Sequence, residues 1–256
     1  MDEHDVLEFF QSRLDETDYR ANSTSQSLDR MAPLILQIFE QRDEIEGILD
    51  LGCGYGGLTA AFADLLECEN VHGIDIDSDR RAVAEERGVT TYELDLESDP
   101  FPFDDGDFDL VLSFGVLEHL RYYDHLIEES NRVLPDDGVI LYSVPNLGSW
   151  VNRIALLFGN QPRDVEISNH RAFGISEFYS DQTFLNHVHS PTLDAFLELL
   201  EYHGYEVDDV VGLFPYQERW FVRAVDRITA FRPSLCRRIA VLGRKKRSSR
   251  TSDSTR

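Results

Sequence analysis

Lysine is almost missing from this 256-residue chain. Of 24 basic residues only Lys245 and Lys246 are lysines, against 48 acidic residues and a formal net charge of −24. A body this acidic offers no basic face to a phosphate backbone, so nucleic-acid binding through it is excluded. Cysteine is scarce as well: Cys53, Cys68 and Cys236 are odd in number and far apart, which excludes a disulfide framework and a cysteine-based zinc set. No apolar run approaches the ~20 residues of a membrane-spanning helix, and the opening Met1-Asp2-Glu3-His4-Asp5 is acidic where a signal peptide is basic. The expectation is a soluble, cytoplasmic protein. What is present is apolar material: 42% hydrophobic and 11% aromatic residues suffice for a sizeable core, so disorder throughout is excluded.

The charge is unevenly spread. Residues 1–236 carry 16 basic and 47 acidic side chains, a net of −31, whereas residues 237–256 carry 8 basic and 1 acidic, a net of +7. An acidic surface that relies on arginine alone resembles that of proteins from extreme halophiles, where ~1 M salt shortens the Debye length to ~3 Å and screens self-repulsion. The basic end, 245–256, reads as a solvated, disordered tail.

Along the chain, residues 1–25 are polar apart from an amphipathic stretch (Val6, Leu7, Phe9, Phe10, Leu14), which predicts a short helix packing on the body or covering a site. Strand-length apolar runs then fall at Gly47–Leu51, Val71–Ile74, Thr91–Leu94, Phe108–Phe114 and Gly138–Val144, with helix-period segments at Leu58–Leu66, Asp79–Glu86 and Val116–Leu134 between them. This alternation predicts βαβ units: an α/β, Rossmann-like sheet, mostly parallel, with helices on both faces. Residues 146–190 break the rhythm. They form a loop-rich insertion within a domain spanning 26–244, of a size that suits a lid or binding surface. Ser190-Pro191 starts a helix over Thr192–His203, and Tyr205–Val211 and Arg238–Leu242 complete seven strands as an antiparallel C-terminal hairpin.

The chemistry begins at Asp50-Leu51-Gly52-Cys53-Gly54-Tyr55-Gly56-Gly57. A glycine-rich turn after a buried strand lets backbone approach a ligand, and the following helix aims free N–H groups at it. Gly52, Gly54 and Gly57 formally satisfy the dinucleotide fingerprint, which makes an NAD-dependent dehydrogenase a competing class. Two features favour a different ligand. Asp50 precedes the first glycine by two residues, where a carboxylate suits a ligand ammonium and repels a pyrophosphate. Asp75, ending Gly73-Ile74-Asp75-Ile76-Asp77, can accept both hydroxyls of a ribose. A third acid, Asp95, ends the next strand.

These segments, with Phe108-Asp109-Leu110-Val111 and Val116-Leu117-Glu118-His119-Leu120, resemble in order and spacing the class I S-adenosylmethionine-dependent methyltransferases over roughly 45–134. The resemblance implies that Asp50 and the Gly52, Gly54 and Gly56 backbone hold the methionine part of S-adenosyl-L-methionine. It further implies that Asp75 binds the ribose, Ile76 and Leu96 pack on the adenine, Asp95 accepts from the adenine amino group, and Phe114 lines the sulfonium side. A sulfonium is an activated methyl donor, so transfer needs the acceptor atom in line at ~3–3.5 Å and, for a hydroxyl, a general base. His119 is the candidate base, with a structural role as its alternative. Glu118 and His119 also resemble metal ligands of quinone-forming O-methyltransferases, but Gly115 stands where that pattern has a further acid, so no metal is expected.

Acceptor specificity is expected in 146–190 and the N-terminal helix. Arg153, Arg163, Arg171, His170, His187 and His189 suit an anionic or polyhydroxylated acceptor, or else answer surface acids; for zinc, His187 and His189 lack an evident third ligand. Val144-Pro145-Asn146 and His187–Thr192 resemble a methyltransferase subgroup found in glycan and cell-surface pathways. Trp220, Phe221, Ala224, Val225, Ile228 and Phe231 form a helical stripe beside Arg219, Arg223 and Arg227. It suits either packing on the sheet or resting on a membrane to reach a lipid-linked substrate. The resulting expectation is an O-methyltransferase of a small-molecule or glycan acceptor, such as a sugar hydroxyl or uronic-acid carboxylate. The alternatives are a quinone-type O-methyltransferase and a non-catalytic, cofactor-sensing partner protein.

Overall fold

A computed structural model describes residues 1–21, 24–42, 44–175, 185–215 and 219–247. Seven strands, β1 (Ile48–Leu51), β2 (Val71–Ile74), β3 (Thr90–Tyr92), β4 (Leu110–Phe114), β5 (Val139–Pro145), β6 (Tyr205–Leu213) and β7 (Arg238–Lys245), form one sheet in the order β3-β2-β1-β4-β5-β7-β6. The first five in that order run parallel, and β7 is antiparallel to both β5 and β6, as the C-terminal hairpin predicts. Strand order reverses between β1 and β4, the point at which the carboxyl ends of open α/β sheets leave a crevice for ligands.

Among the described residues, helices α1 (Glu3–Arg13), α2 (Glu16–Ala21), α3 (Leu28–Gln41), α4 (Gly57–Leu65), α5 (Ser78–Glu86), α6 (Asp124–Val133), α7 (Trp150–Leu157), α8 (Leu193–Tyr202) and α9 (Trp220–Thr229) surround the sheet. Successive strand side chains point to opposite faces, and the core divides accordingly. Ile48, Leu110, Leu112 and Leu141 pack with Phe10, Met31, Ile35 and Phe62 on one face. Leu49, Val111, Ile140 and Tyr142 pack with Leu126, Ile127, Phe196 and Leu200 on the other. None of the described helices is long and apolar enough to cross a membrane.

Three elements differ from expectation. Val116–Leu134 is not one helix: a 3-10 turn at Leu117–His119 and an extended Leu120 precede α6, because Glu118 points into the core and Glu97 accepts the Arg121 N–H at 2.5 Å. The Trp220–Phe231 stripe does not pack on the sheet. α9 packs Val222, with Phe221 and Val225 of the stripe partly buried beside it, against Trp150, Val151 and Ala155 of α7 and leaves Trp220, Ile228 and Phe231 exposed. β7 runs through Lys245, whose ammonium donates to the Asn131 and Leu134 carbonyls at 2.7 Å each, so the tail boundary at 245 falls within an ordered strand. The rest of the expected tail, 248–256, lies outside the described residues.

Candidate functional site

The loop between β1 and α4 is shaped by its glycines. Gly52 has φ +80°, and a Cβ there would lie 2.1 Å from Val116 Cγ2; Gly56 has φ +72°, and its Cβ would press Ala84 at 2.8 Å. Gly54, at φ +54°, has open space on its Cβ side. The first and third glycines therefore let the loop pack, and the second leaves room for a ligand.

One cleft of about 530 Å³ collects the sequence-predicted residues Asp50, Gly52, Gly54, Asp75, Ile76, Asp95, Leu96, Phe114 and His119. Gly56 stands behind it as the residue before α4 and does not line it. Asp50 is buried; its Oδ2 accepts from the Thr59 hydroxyl at 2.5 Å, and its Oδ1 has no hydrogen-bond partner among the described residues. Burial pushes this carboxyl up to about 7, the Thr59 hydrogen bond opposes the rise, and the Asp75 charge adds to it. Asp75 accepts the Gly54 N–H and the Asp77 N–H at 2.9 Å each, so it ties the glycine loop to the end of β2. Ile76 is 73% exposed, an apolar side chain with nothing of the protein over it. Asp95 accepts from Glu97 N at 2.9 Å and Ser98 Oγ at 3.0 Å, capping its own turn at the rim of the cleft. Phe114 is buried at the end of β4, 5.8 Å from the Phe62 ring.

His119 is exposed to the cleft, and its Nδ1 lies 2.9 Å from the Asn186 carbonyl oxygen. A carbonyl only accepts, so Nδ1 carries the proton and Nε2 of the neutral ring keeps its lone pair. The partner comes from the insertion, which the sequence placed near the site without naming Leu185 or Asn186. Val188 N–H donates to the Glu118 carbonyl at 2.8 Å, laying that segment along the 117–119 turn. Ser25 and Asp18 also line the cleft and escaped the sequence reading, because nothing in a polar N-terminal stretch marks which residues fold back. Arg153, Arg163, His170, Arg171, His187 and His189 do not line it. Arg153 donates to the Gly148 carbonyl at 2.6 Å, Arg171 lies 4.7 Å over the Phe173 ring, and His189 stacks on Tyr123.

Beneath His119 sits a buried polar group. Glu118 Oε1 accepts from Arg238 at 2.9 Å, and His187 Nε2 is 3.8 Å from the same oxygen. Burial would raise the Glu118 carboxyl, but the Arg238 guanidinium beside it brings it below the ordinary carboxylate range. Burial lowers His187 to about 4 against the pull of Glu118, so its ring is neutral at neutral pH. Glu118, His119 and His187 could hold a metal, since their ligand atoms lie within 4.8 Å of one another. His189, paired with His187 in the sequence reading, is not part of this group; the 117–119 turn supplies both other candidate ligands. The guanidinium of Arg238 already neutralises Glu118, however, and would repel a cation placed there.

The family description "Methyltransferase domain" matches residues 49–142, the stretch from β1 through β5 that builds this cleft. Over residues 49–142 the chain is similar to a methyltransferase domain. The chain is 31% identical over 191 residues to a probable S-adenosylmethionine-dependent methyltransferase of Mycolicibacterium smegmatis, covering 72% of this chain and 62% of that one. It is 32% identical over 121 residues to another of Mycobacterium tuberculosis, covering 46% of this chain and 42% of the relative. The match therefore spans less than half the length of that relative. In fold it resembles a chain from the complex between the Haloferax volcanii Trm112 methyltransferase activator and a methyltransferase, with a TM-score of 0.60 at 15% identity over 93% of this chain and 98% of that chain.

The cofactor of this methyltransferase domain is S-adenosyl-L-methionine, and the residues present fit it. The unpartnered, buried Asp50 Oδ1 suits an ammonium, the open side of Gly54 suits a ligand close to the backbone, and the bare Ile76 suits an adenine face. One pH dependence follows. The ammonium of S-adenosylhomocysteine would pair with the Asp50 carboxylate, whereas the ligand-free carboxyl is protonated below about 7. Affinity should fall as pH drops below 7, approaching about tenfold per unit, with a proton released on binding. The same shift opposes folding. An unfolded Asp ionises near 3.8, so this group's contribution to ligand-free stability declines as pH rises from about 4 to about 7. Asp50→Asn should flatten the binding profile and raise the melting temperature of the ligand-free protein. A slope unchanged in titrations between pH 5.5 and 8 would assign the dependence elsewhere.

Proposed function

We propose that the protein is an S-adenosylmethionine-dependent O-methyltransferase that works in the cytoplasm on a small-molecule or glycan acceptor. Within that class we favour a sugar hydroxyl or uronic-acid carboxylate in the surface-glycan assembly of a halophile. The observation that carries the O-methyl reading is His119. With Nδ1–H donating to Asn186, its Nε2 is a ready acceptor for the proton of a hydroxyl brought into the cleft. The arginine-only acidic body supports the halophilic setting.

In the proposed mechanism, the cofactor when bound supplies an electrophilic methyl group. Asp50 and Asp75 fix its two ends, Phe114 and Leu96 exclude water from the cleft floor, and His119 takes the acceptor proton at Nε2. Glu118, locked by Arg238, fixes the turn that carries His119. Site residues are thus assigned as His119 for proton transfer and Asp50, Gly52, Gly54, Gly56, Asp75, Ile76, Asp95, Leu96 and Phe114 for the cofactor, with no metal. Methyl-labelled cofactor incubated with monosaccharides and uronic acids tests the reading. Base-stable label marks an ether, base-labile label an ester, and label only on amines would overturn it.

The Glu118–His119–His187 cluster favours a second reading, a metal-assisted methylation of an aromatic hydroxyl. EDTA decides between them. The proposal expects turnover unchanged within twofold, whereas loss restored by Mg²⁺ or Zn²⁺ would establish the second reading.

A further inference from the structure

α9 is charged in a way that sets it apart from the acidic body formed by residues 1–236. Its lone acid, Asp226, is buried, accepting from Trp150 Nε1 at 2.8 Å and pairing with Arg237 at 3.0 Å. Arg223 and Arg227 are exposed, and neither side chain has an ion pair or hydrogen bond among the described residues. On either side of them in sequence the helix presents apolar side chains to solvent: Trp220 is 78% exposed, Ile228 67% and, just beyond its end, Phe231 75%. The helix it packs on adds Leu157 and Phe158, 78% and 74% exposed. Bare aromatic and aliphatic tips interleaved with arginines are the makeup of a helix that lies in a lipid interface.

A chamber of about 750 Å³ opens along the same helix, between Leu7 of α1, Arg30 of α3, Phe214 beyond β6, and Arg223 and Arg227. Among the described residues, two polar atoms on its lining side chains are buried without a hydrogen-bond partner, Ser27 Oγ and the Nε of Arg237, whose terminal nitrogen pairs with Asp226; Ser27 is only 1% exposed. Both can donate to an oxyanion. Ser25 lines this chamber and the cofactor cleft alike, so the two share a wall.

We propose that α9 and the adjoining chamber form a binding site for an anionic, phosphate-bearing lipid presented by a bilayer. Trp220, Ile228 and Phe231 enter the acyl boundary, while Arg223 and Arg227 meet the phosphates at the chamber mouth. The pairing rests on charge complementarity, since Arg223 and Arg227 stand on a body, residues 1–236, whose net charge of −31 otherwise repels such a membrane. It goes beyond the proposed function and does not depend on turnover.

The full chain is mixed with phosphatidylglycerol or phosphatidylcholine vesicles, in the lowest salt that keeps it folded by circular dichroism, because screening weakens the charge term. Sedimentation should favour phosphatidylglycerol about tenfold, with a blue shift of Trp emission that disappears in Trp220→Phe. The other tryptophan, Trp150, is buried at 8% exposure and serves as an internal reference. Ile228→Ser with Phe231→Ser should abolish sedimentation. Arg223→Gln with Arg227→Gln should remove the preference for phosphatidylglycerol. Both variants should keep the wild-type affinity for S-adenosylhomocysteine, so a failure here is separable from a failure of the methyltransferase reading. The proposal is overturned if the wild type stays in the supernatant, if it binds both lipids equally, or if light scattering shows a dimer that the apolar substitutions dissociate.

Discussion

Replacing His119 with alanine should slow methyl transfer to a hydroxyl acceptor by ~10²–10⁴-fold while leaving S-adenosylhomocysteine affinity within twofold. The size follows from losing the only imidazole among the described residues that line the cleft, and with it the lone pair on Nε2. Histidine here has a second task, since Nδ1–H fastens Asn186 and thereby the insertion to the 117–119 turn. His119→Asn separates the two, because its amide can still donate to a carbonyl but cannot take a proton. Equal losses in both variants, with melting temperatures unchanged, identify a base. Recovery of the rate in His119→Asn would make His119 a positioning residue.

The second large effect is at Asp75. Asp75→Ala should weaken S-adenosylhomocysteine binding by ~1.5–3 kcal/mol, or about ten- to a hundredfold, since hydrogen bonds to a charged acceptor are the stronger kind. The loss has two sources. The carboxylate offers lone pairs to two ribose hydroxyls, and it holds the Gly54 and Asp77 N–H groups that set the shape of the loop. Asp75→Asn keeps one oxygen and should fall between alanine and wild type. Calorimetric affinities equal within twofold for all three proteins would mean that the ribose sits elsewhere.

Much of this site is legible in the sequence because its determinants are local. Two-residue alternation sets the strand faces, and the Gly52 and Gly56 positions must adopt positive φ. Asp50 and Asp75 lie at strand ends, whose direction fixes where they point. What was hidden depends on distant partners. Nothing within Val116–Leu134 shows that Glu118 meets Arg238, 120 residues away, and that contact helps break the expected helix into a turn. The pairing of His119 with Asn186 spans 67 residues and is equally invisible. Asp50 was readable as a ligand to an ammonium, but its partner Thr59 and its raised pKa needed the fold. The α9 stripe is ambiguous for another reason: amphipathic spacing shows that a helix has an apolar side, not that α7 covers only Phe221, Val222 and Val225 of it and leaves Trp220 bare.

Calorimetric titration of the folded chain with S-adenosylhomocysteine, in multimolar KCl, tests the central claim most directly. One site per chain, weakened in Asp50→Ala and Asp75→Ala, is the expected result. No heat of binding in a sample shown by circular dichroism to be folded would contradict the cofactor assignment and leave the glycine loop to another nucleotide.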